Sequence, residues 1–172
     1  MKLLLVTYYG EKDSLIHAAN SLRKINYEVI SYPLFQYSMD QYSKIDNYID
    51  HFDEFINENN PNIILWWYLP SPECIKFIYD THINRLHIMF NWDDPFVWDI
   101  LANSNIDKKA PYFDVAFISC EHSIKNYLEK GTPEAYCLYP GYETKLNFVS
   151  ITTNYQLLSL VEMICVKIHM NF

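Results

Sequence analysis

The 172-residue chain reads as an α/β protein, a parallel sheet of five or six strands with helices on both faces. Three observations predict this class. Short apolar runs of strand length alternate with stretches of helical apolar spacing at least five times. The run Asn62-Ile63-Ile64-Leu65-Trp66-Trp67 is continuously apolar, as strands buried on both faces are. The connections are too short for a separate domain, and no internal repeat is visible, so one domain is expected over residues 1–145 with an apolar tail over 146–172.

Each element follows from local chemistry. Met1-Lys2-Leu3-Leu4-Leu5-Val6-Thr7 is the first strand; its apolar run is shorter than the roughly 7–15 residues of a secretion signal. Asp13 or Ser14 caps a helix whose apolar positions are Leu15, Ala18, Ala19, Leu22 and Ile25. Glu28 to Tyr32 is the second strand, stopped by Pro33. From Ile45 to Asn57, Ile45, Tyr48, Ile49, Phe52, Phe55 and Ile56 share one helical face, and Asp46, Asp50, Asp53 and Glu54 form a solvated acidic one. Asn62 to Trp67 is the third strand. Ser71-Pro72-Glu73 then opens a helix to about Asn84, with Ser as N-cap and Pro at the first helical position.

Leu86 to Phe90 is the fourth strand, and Phe96 to Lys108 has helix-compatible spacing. Asp114 to Ser119 is the fifth strand, followed by a helix from about His122 to Lys130 that Gly131 terminates. Ala135 to Leu138 suggests a short sixth strand. In the tail, Leu157, Leu160, Val161, Ile164 and Ile168 are spaced as in a docked helix, while Ile164-Cys165-Val166-Lys167-Ile168 also suits a strand.

Composition excludes several classes. A net charge of -8 with 13 Lys+Arg, of which only Arg23 and Arg85 are arginine, argues against a nucleic-acid partner. No run approaches the roughly 18 apolar residues of a membrane span, so a soluble, cytoplasmic protein is expected. Cys74, Cys120, Cys137 and Cys165 contain no C-x-x-C pair, which leaves reduced thiols and no metal site as the expectation. Only Gly10, Gly131 and Gly141 exist, too few for the dinucleotide fingerprint or the phosphate loop, so no cofactor is expected.

Ligands of open α/β sheets lie at the carboxyl ends of the strands. The predicted rim gathers Thr7-Tyr8-Tyr9-Gly10, Tyr32, Trp67-Tyr68, Trp92-Asp93-Asp94, Cys120-Glu121-His122 and Pro140-Gly141-Tyr142-Glu143. It is aromatic and acidic, with no basic residue to hold a diphosphate. Such a rim suits a polyhydroxylated ligand: sugar C–H faces stack on Trp and Tyr, and carboxylates accept hydroxyl hydrogens.

Trp66 and Trp67 point to opposite faces of a strand, so at least one is core. Asp94 directly precedes Pro95 and suits an N-cap, whereas Asp93 lies just outside the helix, where the dipole keeps its carboxylate ionised. His17 sits off the apolar face of its helix, one turn from the rim loop, either as a surface residue or as a general base or substrate contact. Glu121 and His122 either cap the next helix or contact substrate, and Tyr142 and Glu143 either link segments or line the rim.

From Asn91-Trp92-Asp93-Asp94-Pro95-Phe96, through Tyr112-Phe113-Asp114-Val115-Ala116-Phe117, Tyr127-Leu128 and Gly131, to Tyr139-Pro140-Gly141-Tyr142, the chain resembles the amino-terminal half of CgeB-like, spore-maturation-type glycosyltransferases. The resemblance spans roughly residues 1 to 145 and implies a GT-B enzyme, whose amino-terminal Rossmann-like domain holds the acceptor and whose second domain binds the nucleotide-sugar donor. It implies no metal, and it makes Asp93 or Asp94 and His17 the residues that orient or deprotonate an acceptor hydroxyl. Because residues 146–172 are too few for a donor domain, the expectation is a truncated or stand-alone acceptor half. It would be inactive by itself and would work with a glycan acceptor and either a second chain or another copy of itself. The rival expectation is a non-catalytic module that binds a glycan or protein through the same rim.

Overall fold

In the computed structural model, which describes residues 1–10, 16–39, 47–91 and 105–138, six strands form one all-parallel sheet. They are β1 (Lys2–Val6), β2 (Glu28–Tyr32), β3 (Ile63–Trp66), β4 (Leu86–Asn91), β5 (Val115–Ile118) and β6 (Glu134–Cys137), in the spatial order β2-β1-β3-β4-β5-β6. The helices are α1 (Ile16–Lys24), α2 (Leu34–Ser38), α3 (Tyr48–Asn59), α4 (Pro72–Thr81), α5 (Ile106–Lys109) and α6 (Ile124–Glu129). This is a Rossmann-like α/β domain.

Strand order explains which face each helix covers. Crossovers between parallel strands are right-handed, so a chain that moves one way from β1 to β2 and the other way from β3 onward puts helices on opposite faces. Ala19 and Leu22 of α1 accordingly pack with Leu3, Leu5, Ile63, Leu65, Ile88 and Phe90. Phe52 and Ile56 of α3, Cys74, Ile75 and Ile78 of α4, and Tyr127 of α6 pack with Leu4, Val6, Ile64, Trp66, Met89 and Ala116. Each strand feeds both cores by the period-two alternation of its side chains.

Local signals set the helix ends. Ser71 Oγ accepts the Cys74 backbone N–H at 3.3 Å, with Pro72 at the first helical position, as expected. Helix α4 stops at Thr81, three residues short of the Asn84 expected: His82 makes the last helical bond, to Ile78 O at 2.9 Å, but its φ of −118° and ψ of 36° leave the helix, and Arg85 N–H turns back to His82 O at 3.0 Å. Helix α3 starts from an Asn47 cap and ends at Asn60, whose φ of 48° puts it in the left-handed region that closes helices. The five-residue α2 was not expected; it is too short to show a period. The helix expected from His122 opens one residue earlier as a 3-10 turn over Glu121–Ser123. Of the helix expected from Phe96 to Lys108, residues 96–104 lie outside the described residues, and α5 covers the end.

A polar chain runs beneath α3 and α4. Trp66 Nε1–H donates to His87 Nδ1 at 3.3 Å, and His87 Nε2–H donates to His82 O at 3.2 Å. Those two bonds fix one neutral tautomer of a wholly buried ring. Burial, only partly opposed by the bond to His82, pushes the His87 imidazole from 6.5 down to about 4. His82 Nε2 in turn meets Asp53 Oδ1 at 2.7 Å, tying α4 to α3.

Candidate functional site

The chain reverses its direction of travel across the sheet between β1 and β3. In open α/β sheets the crevice outside the carboxyl ends of the strands at such a reversal is where ligands bind. Loops leaving β1 and β3 head for opposite faces there, and what fills the gap decides the chemistry. In this protein it is aromatic. Tyr8 meets Tyr68 edge-on with ring centroids 4.9 Å apart and lies 5.4 Å from Phe35; Phe35 is 5.3 Å from Tyr68 and 5.6 Å from Tyr9. Tyr9 is 55% exposed and presents its ring to solvent at the edge of the group.

The backbone holds the quartet in place. Trp67 N–H and Tyr68 N–H both donate to Val6 O, at 3.0 and 2.9 Å, which latches the loop after β3 to the end of β1. Phe35 N–H donates to Thr7 O at 3.4 Å and Gln36 N–H to Tyr8 O at 3.2 Å, which docks α2 on the β1 loop. Gly10 turns that loop at a φ of +68°, a left-handed conformation that favours glycine, and its N–H donates to Thr7 Oγ1 at 2.8 Å. The Tyr68 phenol is raised by burial, against a hydrogen bond with Ser38, and the Tyr48 phenol is raised by burial, against one with Ser71. These phenols therefore stay protonated and serve as hydrogen-bond groups, not as bases.

Of the residues expected at the site, Tyr8, Tyr9, Gly10 and Tyr68 are brought together. Trp67 is not: it stands on the α1 face, stacked on Phe90 at 5.2 Å with an interplanar angle of 6°. Trp66 is wholly buried. Tyr32, expected on the rim, is core instead, 2% exposed with its hydroxyl bonded to His51 Nδ1. Glu121 and His122 are exposed beyond β5, two strand spacings or about 10 Å from β3, and no side chain caps the turn they open. Glu121 itself lies in the first turn of that element, where a carboxylate is favoured by the exposed backbone N–H groups.

His17 is the second residue of α1, and its side chain lies outside the described residues. Trp92, Asp93, Asp94, Tyr142 and Glu143 lie outside them altogether. The strand leading to Trp92 is anchored at Asn91, which is 5% exposed and whose Nδ2–H donates to Tyr127 Oη at 3.0 Å.

Two site residues escaped sequence reasoning. Phe35 belongs to α2, three positions past a strand end, and the Pro33-Leu34-Phe35 step that stops β2 was its one local signal. Lys109, a buried lysine, was not weighed at all. From the end of α5 its Nζ reaches the carbonyl of Leu69, the residue after Tyr68, at 3.2 Å. Its side chain is buried, and that burial, outweighing attraction to Glu73, lowers the ammonium to about 8.

Among the described residues no group of three or more His, Cys, Asp or Glu side chains is placed to hold a metal ion, and no helix is long and apolar enough to cross a membrane. No protein-family model matches the chain, and no curated protein matches it.

Proposed function

We propose that this domain is the acceptor-side half of a GT-B glycosyltransferase of the CgeB-like kind, holding a sugar-like acceptor at the crevice between β1 and β3. The observation that carries the reading is the quartet Tyr8, Tyr9, Phe35 and Tyr68 at the reversal of strand order. Aromatic rings with protonated phenols offer an apolar platform for pyranose C–H faces and donors and acceptors for the hydroxyls around it. A nucleotide-sugar donor is held by a second Rossmann-like unit, in the same chain or another, and Asp93 or Asp94 and His17 remain the residues proposed to act on the acceptor hydroxyl.

Saturation-transfer NMR of the protein against methyl glycosides and nucleotide sugars tests this. Ring protons of at least one methyl glycoside are expected to saturate, and Tyr68→Ala is expected to abolish the effect. The nucleotide moiety is expected to stay silent with residues 1–172 alone. Absence of any glycoside signal, or an unchanged signal in Tyr68→Ala, refutes the binding site. Turnover of a nucleotide sugar by residues 1–172 alone refutes the division of labour.

A further inference from the structure

The described helices cover the two faces of the sheet unequally. Helices α3, α4, α5 and α6 all contribute to the core that contains Trp66. The core on the opposite face has α1 alone among the described residues. Helix α1 joins β1 to β2, whereas β5 lies three strand positions from β1, about 14 Å away and beyond the reach of a helix about 10 Å across. Yet Val115 and Phe117 of β5 and Leu138 just after β6 belong to the α1-face core and are 3%, 1% and 5% exposed. A sheet face left to solvent would not bury them, so residues of this chain outside the described ones shield them.

Four stretches of chain are available for the task. Residues 11–15 lead from β1 into α1, on the far side of the sheet from β5. Residues 40–46 run from α2 to α3 and residues 92–104 from β4 to α5, and Leu34, Phe52 and Ile106 on those helices all pack in the Trp66 core. Right-handed crossovers keep the connection from β4 to β5 on that same side. Residues 139–172 instead leave from Leu138, itself a member of the α1-face core. Within them Leu157, Leu160, Val161, Ile164 and Ile168 recur at helical spacing, and residues 139–156 can span up to about 60 Å, ample to bring that apolar side back over the sheet. We propose that the segment 157–168 covers β5 and β6 on the α1 face, with Leu160 and Ile164 set against Val115, Phe117 and Leu138. The tail is thereby a piece of this domain's own core, and its apolar side is not offered to a second chain. The inference stands independently of the acceptor reading.

A double-mutant cycle in the whole protein tests the contact, with Phe117→Leu on the sheet, Ile164→Ala on the tail, and urea denaturation as the readout. Side chains that touch are expected to couple, so the unfolding constant of the double variant should depart by at least about threefold from the product of the two single effects. Phe52→Leu, on the opposite face, is the control and should combine with Ile164→Ala within about twofold of that product. Additivity of Phe117→Leu with Ile164→Ala, or coupling of Ile164→Ala to Phe52→Leu instead, overturns the proposal. Native alkylation of wild type mapped by mass spectrometry serves should a variant fail to fold, because Cys165 lies within the segment. Its thiol is expected to react at least about tenfold more slowly than in urea, since a covered thiol reacts only when its cover opens. Reaction of Cys165 at the rate of the unfolded chain overturns the proposal equally.

Discussion

Acidification should destabilise this protein through His87 in a window that the ring itself defines. In the unfolded chain an imidazole binds its proton near 6.5; in the folded protein burial holds His87 back to about 4. Above 6.5 both states are neutral and His87 contributes no pH dependence. Between 6.5 and 4 the unfolded state carries the proton and the folded state does not, so stability falls as pH falls, by roughly 1.4 kcal/mol per pH unit. Over the whole interval the loss is about 3 kcal/mol, a large part of the 5–15 kcal/mol typical of a domain. Urea denaturation of wild type and His87→Gln across that interval isolates it. Glutamine keeps an acceptor for Trp66 Nε1–H and a donor for His82 O, and the burial-raised Asp114 carboxyl is common to both proteins. The wild-type curve is expected to fall away from the variant's below pH 6.5. Parallel curves would refute the argument that a buried, neutral imidazole is held by these two bonds.

Further outcomes follow from the same coordinates. Ser71→Ala removes the cap of α4 and is expected to cost about 1 kcal/mol in chemical denaturation. Among the described residues Ser123 Oγ is buried with no hydrogen-bond partner, so Ser123→Ala is expected to leave the melting temperature unchanged or raise it, and a clear drop would show that the hydroxyl is satisfied after all. The Cys74 thiol is buried and pushed up to about 12, so in native alkylation mapped by mass spectrometry it should react after Cys120 and Cys137, which are half-buried.

The strands were legible because each carries its own signal: the apolar run Ile63–Trp66 announces burial on both faces, and Pro33 and Pro61 punctuate the segments beside it. Caps were equally local, as at Ser71-Pro72. What could not be read were relations between distant residues. The approach of Lys109 to Leu69 joins positions 40 apart, and no window around either contains it. The same holds for Phe35, which joins Tyr8 and Tyr68 only because the strand order places the ends of β2, β1 and β3 side by side. The two tryptophans of β3 show the limit most plainly: alternation separates them to opposite faces, but the helix packing that makes Trp66 wholly core and leaves Trp67 half-buried against Phe90 is tertiary.

The double acceptance by Val6 O has a mechanical meaning for the crevice. One wall, Tyr8, leaves β1 two residues after that carbonyl, and the other, Tyr68, hangs from it directly, so a single atom is the common origin of both walls. Tyr68 is also joined to β3 through Trp67, so the gap keeps its shape as long as β1 and β3 stay paired. Parting of β1 from β3 is what opens it, and that motion must break the ladder running from Leu3 with Ile63 to Val6 with Trp66 at the centre of the sheet. The platform is therefore set by the sheet itself, and a ligand of the kind proposed would spend little of its binding free energy on ordering the protein.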